Sequence, residues 1–496
     1  MKRICAMVSC AALLCAPPAG GAVAESTAAV TAEAEDGTLL GGAVVGGQRG
    51  RNWVGNLTQA GDGVAISVTL PADGFWDLTV TSYGQGGYRE NYVDVDGRRA
   101  GSFSSQPGGF GDSTIRRLRL AAGEHTITLS SYWGWAQIDC IRLSPSDPLP
   151  DDLYQVSPVL SNPNASENAR RLMHYLCDIY GRQVLSGQNC DQGMFGLENA
   201  AIWRATGGQY PALLGLDMIE YSPSRVANGA SGRSVDYALE YWEKGGISTF
   251  CWHWNAPEKY ITGLWYGAFY KENTSFDLKR AMNGQDEEGY QLLLRDIDAI
   301  SEALQPLAEA DVPILWRPLH EASGGWFWWG SAGKEAYISL YRLMYQRMTE
   351  MHGLNNLIWV WNGQSADWYP GDDVVDIVGW DIYPGEHVYS SQAEIFLRAV
   401  DCSGQRKLIW MTENGCIPDP DELFADGTVW GAWCTWGGEF VLKSAGFNAL
   451  GETYTEKDML LKAYRDERVV TRATLPDIAA YPLPEAEQEA NEANQE

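Results

Sequence analysis

The sequence predicts an α/β protein, a (β/α)8 TIM barrel preceded by a smaller all-β sandwich. Three observations carry that expectation. Short alternating runs punctuated by glycine fill the chain from Glu25 to Leu143, the pattern of a β-sandwich. Three prolines within six residues then break the periodicity between Ser144 and Asp152, which marks a stiff linker. Beyond it, eight apolar strand-like runs alternate with amphipathic helical stretches over roughly 330 residues, as a (β/α)8 barrel requires. At 496 residues the chain is too long for one ordinary core, so two domains are expected on size alone.

Residues 1–24 read as a secretory signal. Lys2 and Arg3 give the positive start, Ile4 to Leu14 the apolar segment and Ala22-Val23-Ala24 a small-residue cleavage site. The apolar run is too short to span a bilayer, and Leu14 before Cys15 is too bulky for the usual lipobox. The expectation is secretion to the extracellular space, with periplasm or a cell-surface lipoprotein as the alternatives. Removing Cys5, Cys10 and Cys15 with the signal leaves an odd number of cysteines, so complete intramolecular pairing is excluded. Cys251 and Cys434 lie in apolar runs and read as buried thiols. Cys402 and Cys416 flank a predicted strand, and their pairing stays open.

The sandwich, residues 25–144, contains runs such as Gly63 to Leu70, Trp76 to Val80, Tyr92 to Val95 and His125 to Leu129. The linker covers 145–153 and the barrel domain 154–484. Its eight predicted strands are Val184 to Gly187, Ala212 to Met218, Ile247 to Trp252, Pro313 to Arg317, Leu357 to Trp361, Ile377 to Trp380, Leu408 to Met411 and Val429 to Cys434. Gly289 to Ala308 and Lys334 to His352 read as helices between them. The acidic tail, 485–496, has no apolar face and reads as disordered.

Net charge of −28 argues against a nucleic-acid partner and suits a neutral polymer. With no spanning segment, no membrane partner is expected, and a monomer is. The 21 tryptophans must fill cores or face a ligand. The run Trp316-Arg317-Pro318-Leu319-His320-Glu321, followed by Trp326, Trp328 and Trp329, points to a ligand. A carboxyl at a strand end, walled by indole rings, has its pKa raised by desolvation, and flat indoles stack on pyranose faces. Strand ends in a barrel gather at one mouth. There Glu413, closing predicted strand seven, lies opposite Glu321, closing strand four. Hydrolysis of a glycosidic bond needs such a pair, one acid and one base or nucleophile. His125, His174, His352 and His387 show no partner at useful spacing and read as surface or packing residues.

Arg317-Pro318-Leu319-His320-Glu321 with Gly324-Gly325-Trp326-Phe327-Trp328-Trp329-Gly330 resembles the signature of glycoside hydrolase family 26, the β-mannanase family. Met411-Thr412-Glu413-Asn414-Gly415 and Trp380-Asp381-Ile382-Tyr383 resemble its strand-seven and strand-six motifs. The resemblance runs from about Tyr154 to Leu483. It implies a retaining hydrolase cutting internal bonds of β-mannan polysaccharide and manno-oligosaccharides without a catalytic cofactor. β-1,3-1,4-Glucanase, β-1,3-xylanase and a non-catalytic polysaccharide-binding protein remain the alternatives. By the same resemblance Glu321 is the acid/base and Glu413 the nucleophile. His320 shapes the subsite of the attacked sugar, Trp326 packs near the acid and helps raise its pKa, and Tyr383 orients the nucleophile. Trp436 is a stacking floor and His253 lines the same side. Ala322-Ser323 departs from the Met and Asn or Ser of many relatives, which leaves the fine subsite contacts open.

Ala32 to Gly37, Ala121 to His125 and Gln137 to Ile141 resemble carbohydrate-binding module family 35. That resemblance implies a structural calcium ion held by Glu33, Glu35 and Asp139, a hard-oxygen set. Sugar binding there needs exposed aromatic residues at one end of the sandwich. Trp133 and Trp135, in the loop before the last strand, are the first candidates, then Tyr88 and Trp53.

Overall fold

The structure is a computed structural model that describes residues 29–443 and 449–484. The expected signal (1–24) and acidic tail (485–496) lie outside the described residues. Residues 30–145 form two antiparallel sheets. One holds Val44–Gln48, Arg51–Gly55, Ala136–Pro145, Gly74–Gly84 and Gly111–Leu120 in that spatial order, with Val30–Glu33 also paired to Ala136–Pro145. The other holds Thr38–Leu40, Gly63–Leu70, Gly123–Ser130, Arg89–Val95 and Arg98–Ser105. Strict alternation explains the packing. In Gly63–Leu70 the side chains of Val64, Ile66, Val68 and Leu70 are buried, while Ser67 and Thr69 face solvent. Val54, Leu78, Val93, Phe103, Ile127 and Ile138 complete one closed core.

The second domain is a closed barrel of eight parallel strands in sequential order. These are Gly187–Asn189, Leu213–Asp217, Ile247–Trp252, Ile314–Pro318, Leu357–Trp361, Ile377–Ile382, Leu408–Asn414 and Trp433–Thr435. Helices cover the outer face, so strands such as Leu357–Trp361 are buried at every position. Two sequence expectations need correction. Val184–Leu185 is not the first barrel strand but pairs in parallel with Val469–Val470 outside the barrel. The barrel strand is the polar Gly187–Asn189, held because the Gln188 side-chain amide donates to the backbone oxygens of Asn189, Thr435 and Trp436. The last strand likewise begins at Trp433, not Val429.

The linker does not float between the domains. Leu153 is buried, and the Tyr154 hydroxyl donates to the Gly427 carbonyl (2.7 Å) and accepts from Val429 N (2.8 Å). On Gly111–Leu120 of the sandwich, Arg116 reaches Glu394 (2.9 Å) and Asp401 (2.8 Å), and Arg119 reaches Asp426 (2.8 Å). The sandwich is thereby seated against the barrel flank formed by Ala393–Val400 and Pro420–Asp426.

All seven cysteines among the described residues are free thiols. Cys402 and Cys416 do not pair, since each donates to backbone carbonyls instead, Cys402 to Arg398 and Cys416 to Gly385 and Tyr454. Cys251 and Cys434 are buried, as expected. The histidines read as partnerless do have structural partners. His125 pairs with Asp96 and His352 with Asp298, both at 2.7 Å, and His387 bonds the Glu452 carbonyl. Among the described residues, no helix is long and apolar enough to cross a membrane.

Candidate active site

The site is built where the strands end. After Ile314–Pro318 the chain turns through left-handed backbone at Leu319 (φ 55°) and Glu321 (φ 54°). Non-glycine residues avoid that region unless surrounding contacts hold them there. Here Glu321 N donates to the Asn362 carbonyl (2.7 Å) and the Trp329 indole to the His320 carbonyl (2.9 Å). This clamp aims the Glu321 side chain into the mouth. Trp328 and Trp329 do not wall the acid as the sequence suggested. Both are fully buried scaffold, with Trp328 donating to the Trp254 carbonyl.

Glu413 lies buried near the end of Leu408–Asn414. A register shift between Trp380 and Asp381 sets Asp381 opposite Glu413. Arg317, buried on strand four, bridges the two carboxylates. It donates to Glu413 Oε1 (2.5 Å) and to Asp381 Oδ2 (3.1 Å). The exposed Tyr383 donates its hydroxyl to Glu413 Oε2 (2.6 Å). Asn362 and Thr412 donate to Asp381 Oδ1 (2.6 and 2.7 Å). One carboxylate oxygen from each of Glu321, Asp381 and Glu413 lies within 4.8 Å of the other two. In sequence Arg317 and Asp381 stand only as parts of motifs, with no role of their own. Their signal was available in kind, because a buried arginine demands buried acid partners.

Protonation divides the two glutamates. Burial, then repulsion from Asp381 and Glu413, pushes Glu321 up to about 9. Burial and Asp381 also raise Glu413, but Arg317 and the Tyr383 hydroxyl hold it to about 7. Of the pair, Glu413 ionises first and Glu321 keeps the proton, the order that acid-assisted bond cleavage needs. The expected pH profile of kcat/KM is a bell, with Glu413 on the acid limb and Glu321 on the alkaline limb.

Trp326 stands where expected, exposed beside the acid, but acts on it in the opposite sense. Its indole N–H donates to Glu321 Oε2 (3.0 Å), which favours the carboxylate and so lowers the pKa. Burial raises Glu321, and Trp326 limits the rise. Trp326→Phe should therefore move the alkaline limb up by roughly 0.5–1 pH unit, the worth of one hydrogen bond. An alkaline limb that stays put or falls in a pH-rate titration contradicts this role.

His253, His320 and Trp436 come together on the other side. The His253 ring lies 4.6 Å from that of His320 and 6.1 Å from Trp436, between centroids. His253 Nδ1 bonds Asp217 Oδ2 at 2.5 Å, and the backbone N–H groups of His253 and Ile219 donate to Asp217 Oδ1. Burial alone would lower His253, but the Asp217 carboxylate overrides it and raises the pKa. His320 has no such partner. Burial, then the charges of His253 and Arg317, hold it well below the usual range, so its ring is neutral. Asp217, placed at a strand end by the sequence reading but given no role, is the group that orients His253. Trp436 is half-buried, its ring available as a floor.

In the sandwich, Tyr88, Trp133 and Trp135 are all exposed. Tyr88 and Trp133 meet edge to face at 5.6 Å, and the exposed Tyr132 lies 6.2 Å from Trp133 and stacks on Tyr92 at 4.5 Å. Tyr132 was missed because nothing in the sequence separates it from ordinary loop tyrosines. Trp53 belongs elsewhere, half-buried against Phe110 at 6.1 Å. Pairing of Val30–Glu33 with the last strand sets Glu33 opposite Cys140 and so beside Asp139. Burial, then the charges of Glu35 and Asp139, raises Glu33. Glu35 Oε2 is buried without a hydrogen-bond partner. Mutually repelling carboxylates with an unsatisfied oxygen are hard donors of the kind calcium takes, but donor atoms of Glu33, Glu35 and Asp139 are not gathered within 4.8 Å of one another as those of the two clusters in the barrel are. Arg51, 3.6 Å from Asp139, supplies part of the compensating charge.

Comparison with known proteins agrees with this geometry. Residues 161–461 match the model of glycosyl hydrolase family 26, and residues 30–146 that of carbohydrate binding module family 35. A mannan endo-1,4-β-mannosidase of Thermothelomyces thermophilus is 40% identical over 431 residues, covering 85% of this chain and 87% of that one. The crystal structure of a Podospora anserina GH26-CBM35 β-(1,4)-mannanase superposes with a TM-score of 0.61 at 33% identity, over 92% of this chain and 100% of that one. A β-mannanase from a symbiotic protist of the termite Reticulitermes speratus, complexed with gluco-manno-oligosaccharide, gives 0.58 at 30% identity over 65% and 98%. With catalytic domain, sandwich and paired strand-end carboxylates all accounted for, the chain belongs to glycosyl hydrolase family 26.

Proposed function

We propose that the protein is a secreted, monomeric endo-β-1,4-mannanase that hydrolyses internal bonds of mannan, galactomannan or glucomannan with retention of configuration. One observation carries the mechanism, a carboxylate oxygen of Glu321 within 4.8 Å of one of Glu413. A nucleophilic mechanism needs carboxyl groups about 5–5.5 Å apart, whereas a water between them needs about 6.5–9.5 Å. Glu413 attacks the anomeric carbon while Glu321 gives its proton to the leaving oxygen. Glu321, now a carboxylate, then takes a proton from the water that releases the sugar, and Glu413 is restored. Arg317 and Tyr383 hold the Glu413 oxygens in place. The relatives described as mannan endo-1,4-β-mannosidases support the choice of substrate.

The sandwich holds polymer through Tyr88, Trp133 and Trp135, raising the local substrate concentration for the barrel. Glu33, Glu35 and Asp139 hold a structural calcium ion whose charge settles the three acids. Product analysis after incubation with galactomannan, glucomannan, mixed-linkage glucan and β-1,3-xylan tests the reading, with Glu321→Gln as control. Manno-oligosaccharides from the wild type alone are expected. Products only from glucan or xylan would move the substrate, and silence on all four would make the chain a binding protein.

A further inference from the structure

We propose that Asp217, Cys251 and His253 form a binding site for a thiophilic divalent cation of the zinc class, whose occupation blocks the sugar-binding side of the cleft. One donor atom from each of Asp217, Cys251 and His253 lies within 4.8 Å of the other two. His253 Nδ1 is 2.5 Å from Asp217 Oδ2 and 4.0 Å from Cys251 Sγ. Tetrahedral zinc, with bonds of about 2.0–2.3 Å, separates its donors by roughly 3.3–3.7 Å. The ion therefore needs the His–Asp pair to open by about 1 Å and the thiol to approach by less. Thiolate, imidazole and carboxylate together suit zinc or cadmium and not calcium or magnesium.

The surroundings favour a cation. Asp191 follows the first barrel strand, is exposed, and makes no hydrogen bond or ion pair among the described residues. Its carboxyl lies close enough to Asp217, His253 and Cys251 for each to feel its charge. Arg317 is the opposing charge, but it is already committed to Asp381 and Glu413. The Asp217 and His253 side chains retain 9% and 12% exposure, so a small ion can reach them from the cleft.

Binding releases the Cys251 thiol proton, and the proton on His253 Nδ1 leaves or moves to Nε2. The imidazole is then fixed to the ion and drawn from its place between His320 and Trp436, so cation and sugar compete. Blocking rests on the proposed sugar site, whereas cation binding does not.

Cadmium chloride titrated into the chelator-treated full chain provides the test. A saturable cadmium–thiolate ultraviolet band, displaced by zinc, is expected, together with loss of hydrolysis that chelator reverses. Cys251→Ser should lose the band, keep basal activity, and raise the cadmium needed for half-inhibition at least ~10-fold. Cys251→Ala serves if the serine variant fails to fold. A band that survives both variants overturns the proposal and places the cadmium on another of the free thiols, and unchanged inhibition in them overturns it and places the inhibiting cation at a site without Cys251, such as the carboxylates of Glu321, Asp381 and Glu413. A saturating manno-oligosaccharide should shift the cadmium titration to higher concentration. With the band intact, absence of that shift overturns the competition alone.

Discussion

Glu413→Ala should lower kcat/KM on manno-oligosaccharides by at least about 10⁴-fold while leaving substrate affinity within a few-fold of wild type. The expectation follows from what alanine removes. Glu413 is buried, its two oxygens are engaged by Arg317 and Tyr383, and nothing else in the site is held to attack the anomeric carbon. Asp381 is near, but its oxygens face Arg317, Asn362 and Thr412. Stopped kinetics with isothermal titration of a manno-oligosaccharide separates the two readouts. Turnover near the wild-type level rejects Glu413 as nucleophile, whatever happens to binding.

Arg317→Leu should destabilise the fold by about 3–5 kcal/mol near neutral pH, because removing one partner strands two buried carboxylates. The side chains of Arg317, Asp381 and Glu413 are all essentially excluded from solvent. Acidification should recover part of the loss, and the sign is fixed by linkage. Without the guanidinium the folded-state pKa of Glu413 rises further above its unfolded value. Such a group costs stability once the unfolded chain ionises, but the wild type bears the same cost up to its own folded value of about 7, so the variant's deficit grows as pH rises through about 7 and shrinks below it. Wild type resists this because Arg317 restrains the rise to about 7. Denaturant unfolding of both proteins across that range measures the difference. A variant equally destabilised at all pH values would mean that Arg317 acts through packing alone.

Much of this was legible in sequence because physical demands on the residues were local. Ile314–Pro318 and Leu357–Trp361 are buried on both faces and read as continuous apolar runs. Trp326 and Tyr383, which touch the two glutamates, followed from their motifs. What escaped depends on partners distant in the chain. Gly187–Asn189 carries no apolar residue, because Gln188 fills its barrel position by bonding backbone oxygens of the last strand and beyond. Val184–Leu185 looked more like a strand, yet the chain returns at Val469–Val470 to pair with it. The sign of the Trp326 effect was equally hidden, since an indole beside an acid can shield it or donate to it. The Arg317–Asp381–Glu413 network joins strands four, six and seven, a closeness no spacing along the chain encodes.

On the mechanism proposed above, bond cleavage proceeds through a glycosyl–Glu413 intermediate with Glu321 serving first as acid, then as base. Proton NMR of manno-oligosaccharide hydrolysis, read before mutarotation, tests it most directly. The β-anomer of the new reducing end should appear first and the α-anomer only later. An α-anomer formed first would mean that water attacks directly, and would contradict the nucleophilic role given to Glu413.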